Sequence, residues 1–85
     1  MIFDRYELHK DGDVIVFLAY RDRDIVTARF FYPDGKAAMN WTVDGEVFRD
    51  LQGFTKARAR EFWWTLVEQG WVRVPPREAV EYEAV

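Results

Sequence analysis

Residues 55–71, TKARAREFWWTLVEQGW, carry the clearest secondary-structure signal in this chain. The segment begins with a threonine, whose hydroxyl can cap the first turn of a helix. It ends near Gly70, a residue that readily adopts the left-handed conformation found after many helices. At 100° per residue the apolar side chains fall on one stripe, which we expect to pack on a sheet: Ala59, Phe62, Trp63, Leu66 and Val67. The pattern therefore predicts a helix over residues 55–69.

Four further side chains of this helix do not suit an isolated surface helix. Trp64 lies far round the helix from the apolar stripe. Lys56, Arg58 and Arg60 occupy the first turns, where the helix dipole disfavours each cation by roughly 0.3–1 kcal/mol. Acidic loop residues such as Asp50 are candidates to neutralise them. Because a segment that breaks a local rule is a candidate functional site, we predict a partner-binding surface formed by these three cations and Trp64.

The chain before the helix consists of short apolar or alternating segments separated by turn sequences. Asp-Gly pairs occur at residues 11–12, 34–35 and 44–45, and such pairs are typical of tight turns between antiparallel strands. They help to delimit five predicted strands, at residues 2–9, 14–20, 25–32, 37–43 and 46–51, with residues 52–54 leading to the helix. The second strand, VIVFLAY, is apolar on both faces and is predicted to be central.

These elements predict an α+β fold in a single small domain. We expect an antiparallel β-meander of four to five strands over residues 1–51, followed by one C-terminal α-helix packed on one face. Residues 71–85 are expected to form a short strand and an acidic tail, which is either an edge strand or solvated. Cover of Trp64 by this tail, or by a second subunit, is the alternative to a partner contact.

Composition limits the location and charge of the protein. The 85 residues include no cysteine, which fits a reducing compartment, and we expect a cytoplasmic protein without a signal peptide or membrane span. The net charge is −3, but residues 56–77 carry five Lys or Arg against two Glu. Residues 78–85 carry three Glu, so a basic band lies between two acidic regions.

The residue inventory argues against catalysis. The chain has no serine or cysteine and a single histidine, His9, so one chain cannot assemble a Ser/His/Asp or Cys/His nucleophile system. The usual two-histidine metal sites would need a second subunit. Most aspartates lie in turn sequences, where their side chains favour turns without any catalytic role. We therefore predict a non-enzymatic protein without a metal or cofactor.

Three functional hypotheses remain from the sequence. The first is a protein-binding module, of inhibitor or adaptor type, that docks on a larger complex through the Arg/Trp face of its helix or an exposed sheet. Nine arginines and 18% aromatic residues are typical of interface hot spots. In size and composition the chain is similar to many phage-encoded inhibitors of host or defence complexes, a likeness that rests on no motif.

The second hypothesis is single-stranded nucleic-acid binding, with bases stacked on sheet aromatics near an arginine. Its candidate residues are Arg29, Phe30, Tyr32 and Trp41, and the alternative is that these aromatics form the core beneath the helix. The third hypothesis is a homodimer or other homo-oligomeric structural subunit. It rests on the strand at residues 14–20, since one helix of about 14 residues covers only part of one sheet face.

Overall fold

The computed structural model describes residues 2–74. They form the elements β1 (Phe3–Lys10), β2 (Asp13–Tyr20), β3 (Val26–Phe31), β4 (Asn40–Val43), β5 (Glu46–Arg49), β6 (Gln52–Phe54), α1 (Lys56–Glu68) and β7 (Val72–Arg73). Five strands build a sheet in the order β6-β3-β2-β1-β7, while β4 and β5 form a separate hairpin. The predicted α+β antiparallel architecture with one helix is confirmed. The predicted tail from residue 75 onward lies outside the described residues.

The antiparallel pairing of β1, β2 and β3 forms the centre of the sheet. All eight residues of β1 pair with β2, from Phe3↔Tyr20 to Lys10↔Asp13. The turn between them places both Asp11, at φ 52°, and Gly12, at φ 87°, in the left-handed region, which is the geometry that Asp-Gly favours. Since β2 also pairs with β3, its predicted central position is confirmed.

The fourth and fifth predicted strands form a separate hairpin and do not extend the five-stranded sheet. After an isolated bridge between Phe31 and Ala37, the chain leaves β3 and forms the β4–β5 hairpin. The hairpin stacks Trp41 on Phe48, with ring centroids 4.6 Å apart, and brings both rings against Phe62 of the helix. Burial of these rings favours packing the hairpin over the sheet, and residues 52–54 become the edge strand instead.

The helix has the predicted caps. Thr55 Oγ1 accepts a hydrogen bond from the Arg58 N–H at 3.1 Å. Gly70 has a φ of 99°, and the Trp71 N–H donates to the Leu66 carbonyl oxygen at 3.1 Å, as in a Schellman motif. These contacts define where the helix begins and ends.

Two residues outside the helix supply charge at its ends, where the first turn of the helix holds no acidic residue and the last turn holds no basic one. Asp24, in the turn before β3, accepts a hydrogen bond from the Lys56 N–H at 2.9 Å. Lys10 of β1 donates to the Gln69 carbonyl oxygen at 2.8 Å. Asp50, a sequence candidate for this role, instead pairs with Arg29 at 2.7 Å. The helix dipole is thus complemented from outside the helix.

The two faces of the sheet differ in what covers them. We call the side under α1 and the β4–β5 hairpin the helix face; its sheet residues in or against the core are Leu8, Ile15, Phe17, Ala19, Val26, Ala28, Phe30 and Phe54. The other side is the opposite face, which carries Arg5, Glu7, His9, Val14, Val16, Leu18, Arg29 and Phe31. The contiguous core cluster of the described residues therefore lies on the helix face, while Val16 is buried on the opposite face.

Candidate binding groove

A groove of about 480 Å³ lies between α1 and the helix face of the sheet. Its lining residues are Tyr6, Phe17, Ala19, Val26, Lys56, Ala59, Arg60, Trp63, Trp64, Val67, Trp71 and Arg73. The helical members recur every three or four residues over residues 56–67, so the groove follows one side of the helix for about 16 Å. Two of the lining side chains are small, Ala19 of β2 and Ala59 of α1, and they leave space that larger residues would fill.

Aromatic side chains form the wall and rim of this groove. Tyr6 is 38% exposed, and Trp64 is 57% exposed, although tryptophan is a highly buried residue on average. Trp63 is half-buried, with its ring edge-on to both Phe17 at 5.3 Å and Tyr6 at 6.1 Å. These contacts hold Trp63 between the core and the groove, so the groove has a rigid aromatic wall.

Three cations lie around the groove: Lys56, Arg60 and Arg73. Within residues 2–74 none of them forms an ion pair. Arg21 and Arg29 do have partners, Asp4 and Asp50, each at 2.7 Å, whereas Arg23 and Arg49 outside the groove form no ion pair within residues 2–74 either. The groove therefore combines an apolar lining with three cations that form no direct ion pair within residues 2–74.

The structure brings together three of the four residues predicted for partner binding. Lys56, Arg60 and Trp64 all line the groove. Arg58 does not, since its guanidinium lies 3.4 Å from Glu46 of the hairpin and 3.8 Å from Glu61. This difference between two nearby arginines provides a matched control for experiments on the groove.

Sequence reasoning missed the contribution of the strands to this site. Tyr6 falls on the helix face by simple alternation along β1, but nothing in its local sequence places it beside Trp63. Arg73 belongs to the two-residue strand β7, which pairs with β1 across Leu8 and His9. The groove therefore forms only when β7 pairs with β1 and the helix packs against the sheet.

The residues predicted for nucleic-acid stacking do not form one surface. Arg29 and Phe30 are consecutive in β3 and therefore lie on opposite faces of the sheet. Trp41 is only 4% exposed, and its indole N–H donates to the Arg49 carbonyl oxygen. Tyr32 is exposed and packs edge-on to Phe30. Trp41 belongs to the core and Phe30 packs against it, in agreement with the alternative prediction that these aromatics form the core beneath the helix.

A charged cluster on the opposite face contains the single histidine. Glu7 is 6% exposed, and its two carboxylate oxygens lie 2.9 Å from Arg5 Nε and 3.0 Å from His9 Nε2. Both oxygens are thus occupied by neighbours from the same strand. Among residues 2–74 no three acidic or histidine side chains converge in a way that could hold a metal ion.

Two ion pairs shift the pKa of their carboxylates, one exposed (Arg21–Asp4) and one half-buried (Arg29–Asp50). The hydrogen bonds from Arg21 lower the pKa of Asp4, and those from Arg29 lower the pKa of Asp50. In each case the charged form of the acid is stabilised by the guanidinium beside it. Neither pair lies in the groove, so these shifts concern stability rather than a reaction.

Comparisons with known proteins do not assign the chain to a family. No protein-family model, curated protein or solved structure matches it. In the described region the 13-residue helix is too short and too polar to cross a membrane. A functional proposal for this chain depends on the chemistry of the groove itself.

Proposed function

We propose that this chain is a non-enzymatic protein-binding module, of inhibitor or adaptor type, that docks on a larger protein through the groove beside α1. The observation that carries the proposal is the exposed Trp64 and Tyr6 beside three cations without ion-pair partners in residues 2–74. Tryptophan, tyrosine and arginine are the residues most enriched in interface hot spots. A concave site of about 480 Å³ is also large enough to accept side chains from a partner.

The lining of the groove supports binding rather than catalysis. No carboxylate, imidazole, hydroxyl of serine or thiol is among the groove residues of the described chain. Its polar groups are the phenol of Tyr6, two guanidinium groups, one ammonium group and the indole N–H groups. Apart from the phenol, these groups act at neutral pH as hydrogen-bond donors or cations, which suits recognition of an acidic partner.

Single-stranded nucleic acid is less well supported as the partner. A groove for nucleic acid normally presents a continuous positive track to the phosphates. Here the rings of Tyr6 and Trp63 separate Lys56 and Arg60 from Arg73, so the positive charge is not continuous. The residues predicted to stack bases also do not form one surface, because Arg29 and Phe30 lie on opposite faces of the sheet and Trp41 is buried.

A capture experiment tests the docking surface. The purified protein is immobilised and exposed to an extract of its source cells, in parallel with Trp64→Ala, Arg60→Gln and the control Arg58→Gln, after circular dichroism confirms that all are folded. We expect a discrete protein to be retained by the wild type and Arg58→Gln, reduced by Arg60→Gln and lost with Trp64→Ala. Equal retention by all four proteins would place the binding surface elsewhere.

A further inference from the structure

The helix and β1 run side by side in the same direction, which orders the groove residues along its length. Near the start of both elements, the charge of Lys56 acts on Asp4. In the middle, the rings of Tyr6 and Trp63 are in contact. At the end, Lys10 donates to the carbonyl oxygen that follows the helix. Position along the groove therefore increases with residue number in both elements.

On this axis the cations lie on either side of the aromatic centre. Lys56 and Arg60 belong to the first half of the helix. Arg73 pairs in register with Leu8, and thus lies beyond Tyr6 toward the end of the groove. The aromatic side chains Tyr6 and Trp63 lie between these two positive regions. The arrangement along the groove is cation, aromatic centre, cation.

We propose that the groove binds an extended acidic peptide segment of a partner protein, which rests on the docking function proposed above. Two carboxylates near the ends of the segment match the two positive regions, and an apolar side chain between them fits against the aromatic wall. The groove length of about 16 Å corresponds to about five residues of extended chain at roughly 3.4 Å per residue. The partner sequence is therefore acidic–apolar–acidic over about five positions.

Indole signals in a two-dimensional ¹⁵N–¹H spectrum test this inference on the full-length protein. Trp63, Trp64 and Trp71 line the groove, whereas Trp41 is buried with its indole N–H bound to the Arg49 carbonyl and is an internal control. The probe is the blocked peptide Glu-Ala-Leu-Ala-Glu. We expect saturable shifts of the groove indoles, with the Trp41 signal unchanged and with affinity falling as salt is raised.

Related probes and variants separate the parts of the proposal. We expect Glu-Ala-Ala-Ala-Glu to bind about tenfold more weakly, because the buried leucine is lost, and Lys-Ala-Leu-Ala-Lys to cause no shift. Arg60→Gln and Arg73→Gln should each lower the affinity for the acidic peptide by about two- to fivefold. Arg58→Gln should leave this affinity unchanged. Neutral Gln-Ala-Leu-Ala-Gln should bind wild type and the Arg60→Gln/Arg73→Gln double variant equally.

Each result that contradicts these expectations shows which part of the proposal is wrong. If the neutral peptide binds as tightly as the acidic one, the acidic partner is wrong while docking in the groove stands. If an oligo(dT) of eight nucleotides shifts the groove indoles and no peptide does, the inference is overturned in favour of nucleic acid. If no probe shifts them, the acidic segment is wrong, and the capture experiment with Trp64→Ala decides separately whether the groove binds a protein.

Discussion

The two faces of the sheet are built from the same central strand, yet they have different partners. On the helix face, Ile15 and Phe17 of β2 join a core that includes the helix and the hairpin. On the opposite face, Val16 is also buried, with 7% of its surface exposed, but it is not part of that core cluster. Its neighbours across the strands are Glu7 and Arg29, both charged. An apolar strand therefore predicts burial on both faces without predicting what each face packs against.

The largest expected effect concerns the aromatic core of the helix face. Phe62 is buried and its ring contacts four others, whereas Phe31 on the opposite face is half-buried. We expect Phe62→Ala to lower the free energy of unfolding by about 3–5 kcal/mol and Phe31→Ala by about 1–2 kcal/mol, measured by urea denaturation. Phe62→Leu, which keeps more of the volume, extends the test if the alanine variant does not fold. Equal losses of unfolding free energy at both positions would mean that the two faces of the sheet contribute equally to stability.

The charged cluster of the opposite face should have an intermediate effect. Replacing Glu7 by Gln keeps the shape but removes the charge that accepts hydrogen bonds from Arg5. We expect a loss of about 1–2 kcal/mol in the free energy of unfolding, because a buried charge-assisted hydrogen bond is weakened. Glu68→Gln, an exposed change on the helix, is the control and should stay within about 0.5 kcal/mol. A Glu7 variant as stable as this control would show that the cluster is not stabilising.

A smaller effect of opposite sign is expected where the chain passes from the hairpin to the sheet edge. Leu51 has a φ of 55° and is 52% exposed, so it holds a left-handed conformation while about half of its surface remains in solvent. Leu51→Asn should raise the free energy of unfolding by about 0.5–1 kcal/mol, since asparagine tolerates this conformation better. Val47→Asn is a suitable control, because Val47 is exposed on β5 with ordinary strand geometry. Destabilisation by Leu51→Asn would indicate that the leucine side chain makes a contact needed for folding.

The smallest effect is a dependence of stability on pH. Hydrogen bonds from Arg29 and Arg21 lower the pKa of Asp50 and Asp4 below the ordinary value of 3.8. The unfolded chain therefore binds protons at these groups before the folded protein does, so the stabilisation is complete above about pH 5 and is lost as pH falls through and below 3.8. Urea denaturation between pH 6 and pH 3 should show a shallower decline for Asp50→Asn than for wild type. An identical slope would mean that the Arg29 pair is not formed in solution.

Local patterns were sufficient for the elements whose signals lie within a few residues. The two caps of α1, the Asp-Gly turns and the central strand all follow from such signals. The departure of the hairpin from the sheet does not, because it depends on Trp41 and Phe48 meeting Phe62 across the fold.

The candidate site was predictable only on its helical side. Residues four apart, such as Arg60 and Trp64, share one side of a helix, whereas Arg58 lies about 200° round from Arg60. Helical geometry therefore separates the two arginines, which the prediction of a single partner-binding surface had grouped together. Tyr6 and Arg73 could not be assigned in advance, because strand pairing alone places them beside the helix.

The charge supplied to the helix ends by Asp24 and Lys10 has a consequence for the order of folding. These contacts span 32 and 59 positions of the chain, so they form only when distant parts of the chain have come together. With cations at its start and no basic residue near its end, the isolated helical segment gains nothing from its own dipole. We expect α1 to become stable late, after the rate-limiting barrier, so that Asp24→Ala and Lys10→Ala would speed unfolding while leaving the refolding rate almost unchanged.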